Sequence, residues 1–255
     1  MEFAQLIDFL HVFKPWPRPF YEAVVVRKFN FHTHTLYSDG ECLASGIAEA
    51  AEASGLAAVA ITDHGPELSV GISPSKIPLM LQDIEEARED ADIPVLAGME
   101  ANVVSADGAI DLDDEVIKKL DILVIGLHTL GGAPTQEELA KNYFLAIMNA
   151  MRRQRADVVV HPFRLHSYLA PYLSLEEIDE FAKLAAEKEI AVEINSKYRV
   201  PDEGLLRACL REGVKLSIGT DAHTAAEVGT VDWQMAMLKR IGASEDDLIL
   251  SKFLR

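Results

Sequence analysis

Two histidines two residues apart begin the part of the chain that could do chemistry. His32 and His34 lie in the stretch NFHTHTLYSDGE, and the β-branched run VVV at 24–26 precedes them, as is typical of a buried strand. Side chains in a strand alternate between its two faces, so residues two apart point the same way. Both imidazoles would project from one strand end, where they could bind a metal ion. An isolated HxH pair is also compatible with a hairpin edge that binds nothing.

Further ligand-type residues follow most of the other apolar runs. They are Asp39 in the first loop, His64 in AVAITDH, Glu100 in VLAGME, His128 in ILVIGLH, His161 in VVVHP, and Asp221 and His223 in KLSIGTDAH. Six of the eight histidines occupy this one kind of position, which random placement would not produce. A buried cluster of imidazoles and carboxylates is costly unless other charge compensates it, and metal ions supply that charge. We therefore predict a multinuclear metal site.

The elements that must position these residues alternate between strands and helices. Strands are predicted at 24–31, 56–61, 95–99, 122–127, 158–160, 191–194 and 215–218, and helices at 44–54, 76–91, 113–120, 136–153, 175–187, 202–212 and 231–241. This alternation predicts a parallel sheet with helices outside, and seven units indicate a closed or nearly closed (β/α)7 barrel. The C-terminal ends of the strands would then form the active-site face. An open doubly wound sheet is the alternative, but no glycine-rich dinucleotide fingerprint follows the first strand.

The first 23 residues are predicted to be a separate region. Apolar residues at helical spacing, Phe3, Leu6, Ile7, Leu10 and Phe13, predict an amphipathic helix, which the proline-rich linker KPWPRPF ends. This helix would pack on the main domain at 24–255 or dock a partner.

Composition limits the class of protein. A chain of 255 residues that is 49% hydrophobic can form one large domain. The net charge of −17 disfavours extended nucleic-acid binding. The basic run MRRQR at 151–155 is interpreted as a helix end rather than a nucleic-acid site. Cys42 and Cys209 predict reduced thiols rather than a disulfide framework. Neither a signal peptide nor a membrane span is expected, so we predict a cytoplasmic protein of open oligomeric state.

The ordered motifs HTHTLYSDG, TDHG, GME, GLH, VVHP and TDAH resemble those of the PHP (polymerase and histidinol phosphatase) family. The resemblance extends from about residue 24 to the C-terminus and implies a distorted (β/α)7 barrel. It also implies three divalent metal ions, for which Zn, Mn and Fe all suit the donors. All nine of the family's ligand positions are filled, and Asp39 stands where some members have histidine. The implied sets are His32, His34, Glu100 and Asp221; Glu100, His128 and His161; and Asp39, His64 and His223.

The same resemblance implies a phosphoesterase in which hydroxide activated by the metals attacks a phosphate ester. Glu100 would bridge two metals. Glu100, Asp221 and His223 are predicted to be the catalytic residues. Three cations on loops at the active-site face, Arg164, Lys197 and Arg199, are predicted to orient the phosphate, although loop solubility would also explain them. Glu193 and Asn195 either support the ligands or fill the barrel mouth. His166 is interpreted as a surface residue and Asp63 as structural.

Three functions fit this sequence. The preferred one is hydrolysis of a small phosphorylated metabolite or nucleotide. The second is 3′–5′ exonuclease activity, since VEINSKYRVPDEGLL resembles the polymerase-associated members of the family. The third is a metal-dependent interaction module without catalysis, which the complete set of ligand positions makes the weakest.

Overall fold

The computed structural model describes residues 26–254. At its centre lies a six-stranded parallel sheet of β1 (Val59–His64), β2 (Val95–Asn102), β3 (Ile122–Gly126), β4 (Val158–Val159), β5 (Ala191–Asn195) and β6 (Leu216–Gly219). Each strand pairs with the next one along the chain, so the order in the sheet is sequential. Parallel neighbours of this kind require a crossover between them, and helices supply it. The predicted N-terminal helix and linker lie outside the described residues.

Eight α-helices precede, connect or follow these strands in the described part of the chain. They are α1 (Ala44–Ala53), α2 (Ile77–Asp90), α3 (Asp114–Ile117), α4 (Gln136–Arg153), α5 (Leu175–Glu187), α6 (Glu203–Glu212), α7 (Ala225–Val228) and α8 (Asp232–Ile241). Helix α5 begins with a capping box between Ser174 and Glu177, and the side chain of Asp202 caps α6. These caps place the helix starts within a residue of where the sequence predicts them.

The core lies on both faces of the sheet. All six strands are buried along their whole length, and the inward faces of α4, α5 and α6 pack against them with residues such as Phe144, Phe181 and Leu206. Strands that are covered on both faces need near-continuous apolar sequence, which is the pattern from which they were predicted.

The segment around His32 differs from its prediction. Of the predicted strand at 24–31, residues 26–31 are described and contain no regular strand, only isolated parallel bridges at Asn30 and, just beyond, Thr33. Side-chain hydrogen bonds interrupt the ladder, because the backbone N–H of His32 donates to Asn30 Oδ1 and that of Thr33 donates to Thr62 Oγ1. The backbone still joins both edges of the sheet: Ala60 N donates to Asn30 O over 2.8 Å and Phe31 N to Ile218 O over 2.9 Å.

Two further elements depart from the sequence interpretation. Helix α3 ends at Ile117 rather than Leu120, because Lys119 and Leu120 form tighter bonds to the carbonyls three residues earlier. The short helix α7, which has a capping box between Thr224 and Glu227, was not predicted. Within residues 26–254, no helix combines the length and the apolar character needed to cross a bilayer.

Candidate metal centre

All nine predicted ligands lie at one end of the sheet. His64 ends β1, Glu100 lies near the end of β2, His128 and His161 each follow their strands by two residues, and Asp221 and His223 follow β6. The segment that joins the sheet edges carries His32 and His34, and Asp39 lies in the turn after it. The structure therefore brings all nine residues to the same end of the sheet, and their role as metal ligands stays a prediction.

Glu100 lies at the middle of the group and is fully buried. Its two carboxylate oxygens face five imidazoles between them. Oε1 is 3.0 Å from His128 Nε2 and 2.9 Å from His161 Nε2. Oε2 is 2.7 Å from His64 Nδ1, 3.3 Å from His32 Nε2 and 3.7 Å from His34 Nε2. This carboxylate has donor nitrogens beside each of its oxygens.

Asp39 and Asp221 complete the cluster on either side. Asp39 Oδ1 is 3.7 Å from His64 Nε2 and 3.3 Å from His223 Nε2. Asp221 Oδ1 is 3.2 Å from His34 Nε2 and 4.0 Å from His32 Nε2. Triads of potential ligand atoms that lie within 4.8 Å of one another overlap and together include eight of the nine residues. Asp39 joins the same cluster through its contacts with His64 and His223.

Four of these spacings, those at 3.0–3.3 Å, fit donors that share a cation. Ligands at about 2.1 Å from a metal, with angles of about 90–110° between them, lie about 3.0–3.4 Å apart. Several of the facing atoms are buried without a hydrogen bond of acceptable geometry among residues 26–254, namely His32 Nε2, His34 Nδ1 and Nε2, Asp39 Oδ1, His64 Nδ1, Glu100 Oε2 and Asp221 Oδ1. Buried polar atoms normally have partners. Atoms that approach one another without bonding are the arrangement that a cation between them requires.

The backbone also leaves room for such a group. A Cβ atom on Gly126 would lie 2.7 Å from Glu100 Oε1 and 2.9 Å from His128 Cε1. A side chain at this position would fill the space between the donors. His161 and Asp221 have positive φ angles of 29° and 52°, a region that costs non-glycine residues energy and is concentrated at functional sites.

Burial and the charges of the cluster shift the pKa values of its imidazoles and carboxylates. Burial, with a contribution from His64, lowers the pKa of His34 to about 3, so its ring is neutral and offers a lone pair. Burial opposes ionisation of Glu100, but His128, His32 and His64 hold the pKa of its carboxyl well below the usual range. Burial likewise opposes protonation of His32, yet Glu193 and Glu100 raise its pKa well above the ordinary value. Positive charge is thus favoured between ionised carboxylates.

A second layer of polar residues contacts the predicted ligands. Glu193 Oε1 lies 2.7 Å from His32 Nδ1. Asn102 Oδ1 lies 3.0 Å from His128 Nδ1 and also accepts from the backbone N–H of His128. Asp63 accepts hydrogen bonds from the backbone and hydroxyl of Thr35 and from Ser38, so it holds the turn that carries Asp39. Asp63 therefore has the structural contacts expected of it.

The three predicted cations lie differently. Lys197 Nζ is 3.3 Å from Asp221 Oδ1, at the edge of the cluster. The Arg164 guanidinium lies 4.8 Å from the ring centroid of Tyr198, whose ring in turn lies edge-on to His161 at 5.7 Å. Arg199 is exposed. His166 is exposed, as expected.

Sequence reasoning missed two residues of the site. Asn102 lies two residues after Glu100 on the same strand, so the alternation of strand faces could have identified it. The sequence does not indicate that Tyr198 belongs to the site, because its position depends on the turn closed by the bridge between Asn195 and Val200. Burial, with Asp221 and Glu100 nearby, raises the pKa of the Tyr198 hydroxyl, which therefore stays protonated.

The basic run at 151–155 has structural partners. Arg152 Nη2 lies 3.3 Å from Glu180 Oε1, and Arg153 Nη1 lies 2.6 Å from Asp107 Oδ2. Both arginines are in the last turn of α4, where the helix dipole favours cations. These contacts agree with the helix-end interpretation.

The fold and the site together define a class, α/β proteins with histidine and carboxylate ligands gathered at the C-terminal ends of parallel strands. The PHP domain family matches residues 30–197, and the chain belongs to this family. Its sequence is 31% identical over 231 residues to a probable phosphatase of Caldanaerobacter subterraneus subsp. tengcongensis, covering 84% of each chain. This match confirms the resemblance drawn from the ordered motifs.

Two other comparisons concern a solved structure of similar fold and a longer relative. The fold is similar to that of histidinol phosphate phosphatase from Lactococcus lactis, solved with zinc, L-histidinol and phosphate, with a TM-score of 0.64, 19% identity, and coverage of 86% of this chain and 95% of that one. The chain is also 29% identical over 203 residues to the DNA polymerase/3′-5′ exonuclease PolX of Bacillus subtilis, a match that covers 77% of this chain and 34% of that protein.

Proposed function

We propose that this protein is a phosphatase that hydrolyses a small phosphorylated metabolite or nucleotide at a centre of three divalent metal ions. It is a hydrolase of phosphoric ester bonds, the class to which its PHP relatives named as phosphatases belong. The observation that carries the proposal is the buried Glu100, with five imidazoles about its two oxygens and no hydrogen bond to Oε2 of acceptable geometry among residues 26–254. Such a group needs cations to be stable.

The ligands divide among the proposed ions as the family pattern implies. His32, His34, Glu100 and Asp221 would hold one, Glu100, His128 and His161 a second, and Asp39, His64 and His223 the third. Nitrogen and oxygen donors suit Zn, Mn or Fe. The segment at 30–34 would take the place of the seventh strand of a distorted (β/α)7 barrel. The metal centre would then lie at the C-terminal ends of the strands.

Divalent cations held there would supply an activated water and neutralise charge on the phosphate oxygens. The chain's own residues contribute binding and orientation. The Lys197 ammonium borders Asp221 and can pair with a phosphate oxygen at the edge of the cluster. The Arg164 guanidinium, held over the ring of Tyr198, can form two hydrogen bonds to the same group. Arg199 is exposed and would contact the phosphate only from the outside of the site. Glu100 would hold two of the ions, and Asp221 and His223 would be catalytic with it as ligands of the first and third ions.

An exonuclease function is the second candidate, and the match to PolX favours it. The net charge of −17 speaks against long contacts with nucleic-acid backbones. The two arginines in the last turn of α4 are paired with carboxylates rather than free for phosphate. A single nucleotide end could still enter the site.

The test is a substrate panel with protein reconstituted separately with Zn, Mn or Fe. The panel contains p-nitrophenyl phosphate, bis-p-nitrophenyl phosphate and end-labelled single-stranded DNA, and chelator-treated protein is the control. We expect release of phosphate from the monoester and little activity after chelation. A ladder of shortened DNA without monoester hydrolysis would support the exonuclease instead. Failure on all three substrates by metal-loaded protein would refute both.

A cytoplasmic location remains a prediction.

A further inference from the structure

Glu193 touches two of the proposed metal ligands at once. It lies on β5, is 1% exposed, and points its carboxylate under the cluster. Oε1 is 2.7 Å from His32 Nδ1, and Oε2 accepts a short hydrogen bond from the backbone N–H of His161. Under the proposed function, His32 and His161 belong to different metal sites. We propose that Glu193 is a positioning residue that couples two metal sites, and this inference rests on the proposed metal centre.

The first contact selects the tautomer of His32. A neutral imidazole carries its proton on one nitrogen and a lone pair on the other, and the hydrogen bond of one nitrogen decides which. Donation from Nδ1–H to Glu193 leaves the lone pair on Nε2. Nε2 is the atom that faces Glu100 at 3.3 Å and Asp221 at 4.0 Å. Glu193 thus presents the ligating form of His32 to the first site.

The second contact holds the backbone of His161. This residue has a φ of 29°, in a region that a non-glycine residue adopts only when its surroundings impose it. The hydrogen bond from its N–H to Glu193 is one such constraint, and the bond from Arg164 N to His161 O, 3.0 Å, closes the following turn. In this conformation His161 Nε2 lies 2.9 Å from Glu100 Oε1. Glu193 therefore also orients a ligand of the second site.

The neighbouring strand leaves space for this carboxylate. A Cβ atom at Gly219, on β6, would lie 1.8 Å from Glu193 Oε1. Both carboxylate oxygens are engaged by donors that belong to ligand residues, whereas a residue that only filled the barrel mouth would need neither contact. Carboxylates that accept from ligand histidines typically change metal affinity about 10–100-fold when they are replaced.

The substitution Glu193→Gln tests the coupling with almost no change in shape. A glutamine has one acceptor oxygen, while the two contacts of Glu193 both require an acceptor. The backbone N–H of His161 can only donate, so it would take the amide oxygen. The amide NH2 would then face His32 Nδ1 and force the proton onto Nε2, the ligating atom. If the amide turned the other way, His161 would lose its constraint.

The measurement is the number and affinity of bound Zn ions, by competition with a chromophoric chelator. We expect the wild type to bind about three ions. Glu193→Gln should lose about 10–100-fold in Zn affinity at the two sites that contain His32 and His161, while the affinity of the site of Asp39, His64 and His223 is unchanged. Asn102→Ala removes the hydrogen-bond partner of His128 Nδ1. Because His128 is assigned to the second site only, this substitution should weaken that one site. Asp157→Asn, at the opposite end of the sheet, removes a carboxylate that accepts from Leu123 N and should leave all three affinities unchanged.

A second measurement does not depend on a variant. Nitrogen-15 NMR of the Zn-loaded wild type should show His32 protonated at Nδ1. Protonation at Nε2, or a Glu193→Gln protein that binds three ions as tightly as wild type, would overturn the inference and leave the proposed function standing. An equal loss at all three sites would also overturn it, because that is the result of general destabilisation. A wild type that bound no metal would overturn both.

Discussion

Replacing Glu100 by alanine tests the residue on which the cluster is built. The substitution removes the only carboxylate that the proposed assignment gives to two metal ions. It also leaves buried imidazoles without the negative charge that both oxygens provide, at 2.7 Å from His64 and 2.9 Å from His161. Two effects follow, one on stability without metal and one on turnover with metal.

The stability effect can be worked from burial. Glu100 is fully buried, and removing one partner of a buried ionic pair costs about 3–5 kcal/mol, because the other charge is left uncompensated. For a domain of this size, 1 kcal/mol corresponds to about 2–4 °C in Tm, so the metal-free variant should melt about 6–20 °C below the metal-free wild type. Thermal denaturation followed by circular dichroism in the presence of a chelator measures this difference.

The effect on turnover should be larger. Loss of a single electrostatic stabiliser of a transition state costs about 10²–10³ in kcat, and Glu100 would serve two ions at once, so we expect a loss of at least about 10³-fold. The assay is p-nitrophenyl phosphate hydrolysis by protein reconstituted with the ion that is best for wild type. Near wild-type turnover by Glu100→Ala would refute the assignment of Glu100 as the bridging ligand, whatever its stability.

Two other predictions concern the rim and the thiols. Tyr198→Leu removes the ring over which the Arg164 guanidinium lies. In steady-state kinetics, KM for a phosphomonoester should rise about 2–5-fold with a smaller change in kcat. An unchanged KM would show that this contact does not contribute to substrate binding. Burial raises the pKa of the Cys209 thiol to about 12, whereas Cys42 is partly exposed. A chromogenic disulfide reagent at pH 8 should therefore modify Cys42 alone in folded protein and both thiols after denaturation, and rapid modification of Cys209 in folded protein would contradict its burial.

Much of the site could be predicted because one rule links sequence to position. Parallel strands end at a common edge, so His64, Glu100 and His128, read as the residues that close apolar runs, had to meet there. Helices α4 and α5 have the predicted limits, because their first residues follow capping side chains that are visible in the sequence. Local signals of this kind require no knowledge of the tertiary structure.

The rest depends on long-range contacts that no local pattern reveals. The segment carrying His32 was predicted as a regular strand, but Asn30 bonds through its side chain to Thr220, 190 residues away. The choice between a supporting and a filling role for Glu193 could not be made from alternation alone. It needed the positions of His32 and His161, which lie on other segments of the chain.

The most direct test of a metal centre at the strand ends is anomalous X-ray scattering from a crystal of the Mn- or Zn-loaded protein, collected at the metal absorption edge. We predict about three strong peaks within the cluster, with Glu100 touching two of them and His223 touching another. A metal-soaked crystal with no anomalous peak among these residues would contradict the account.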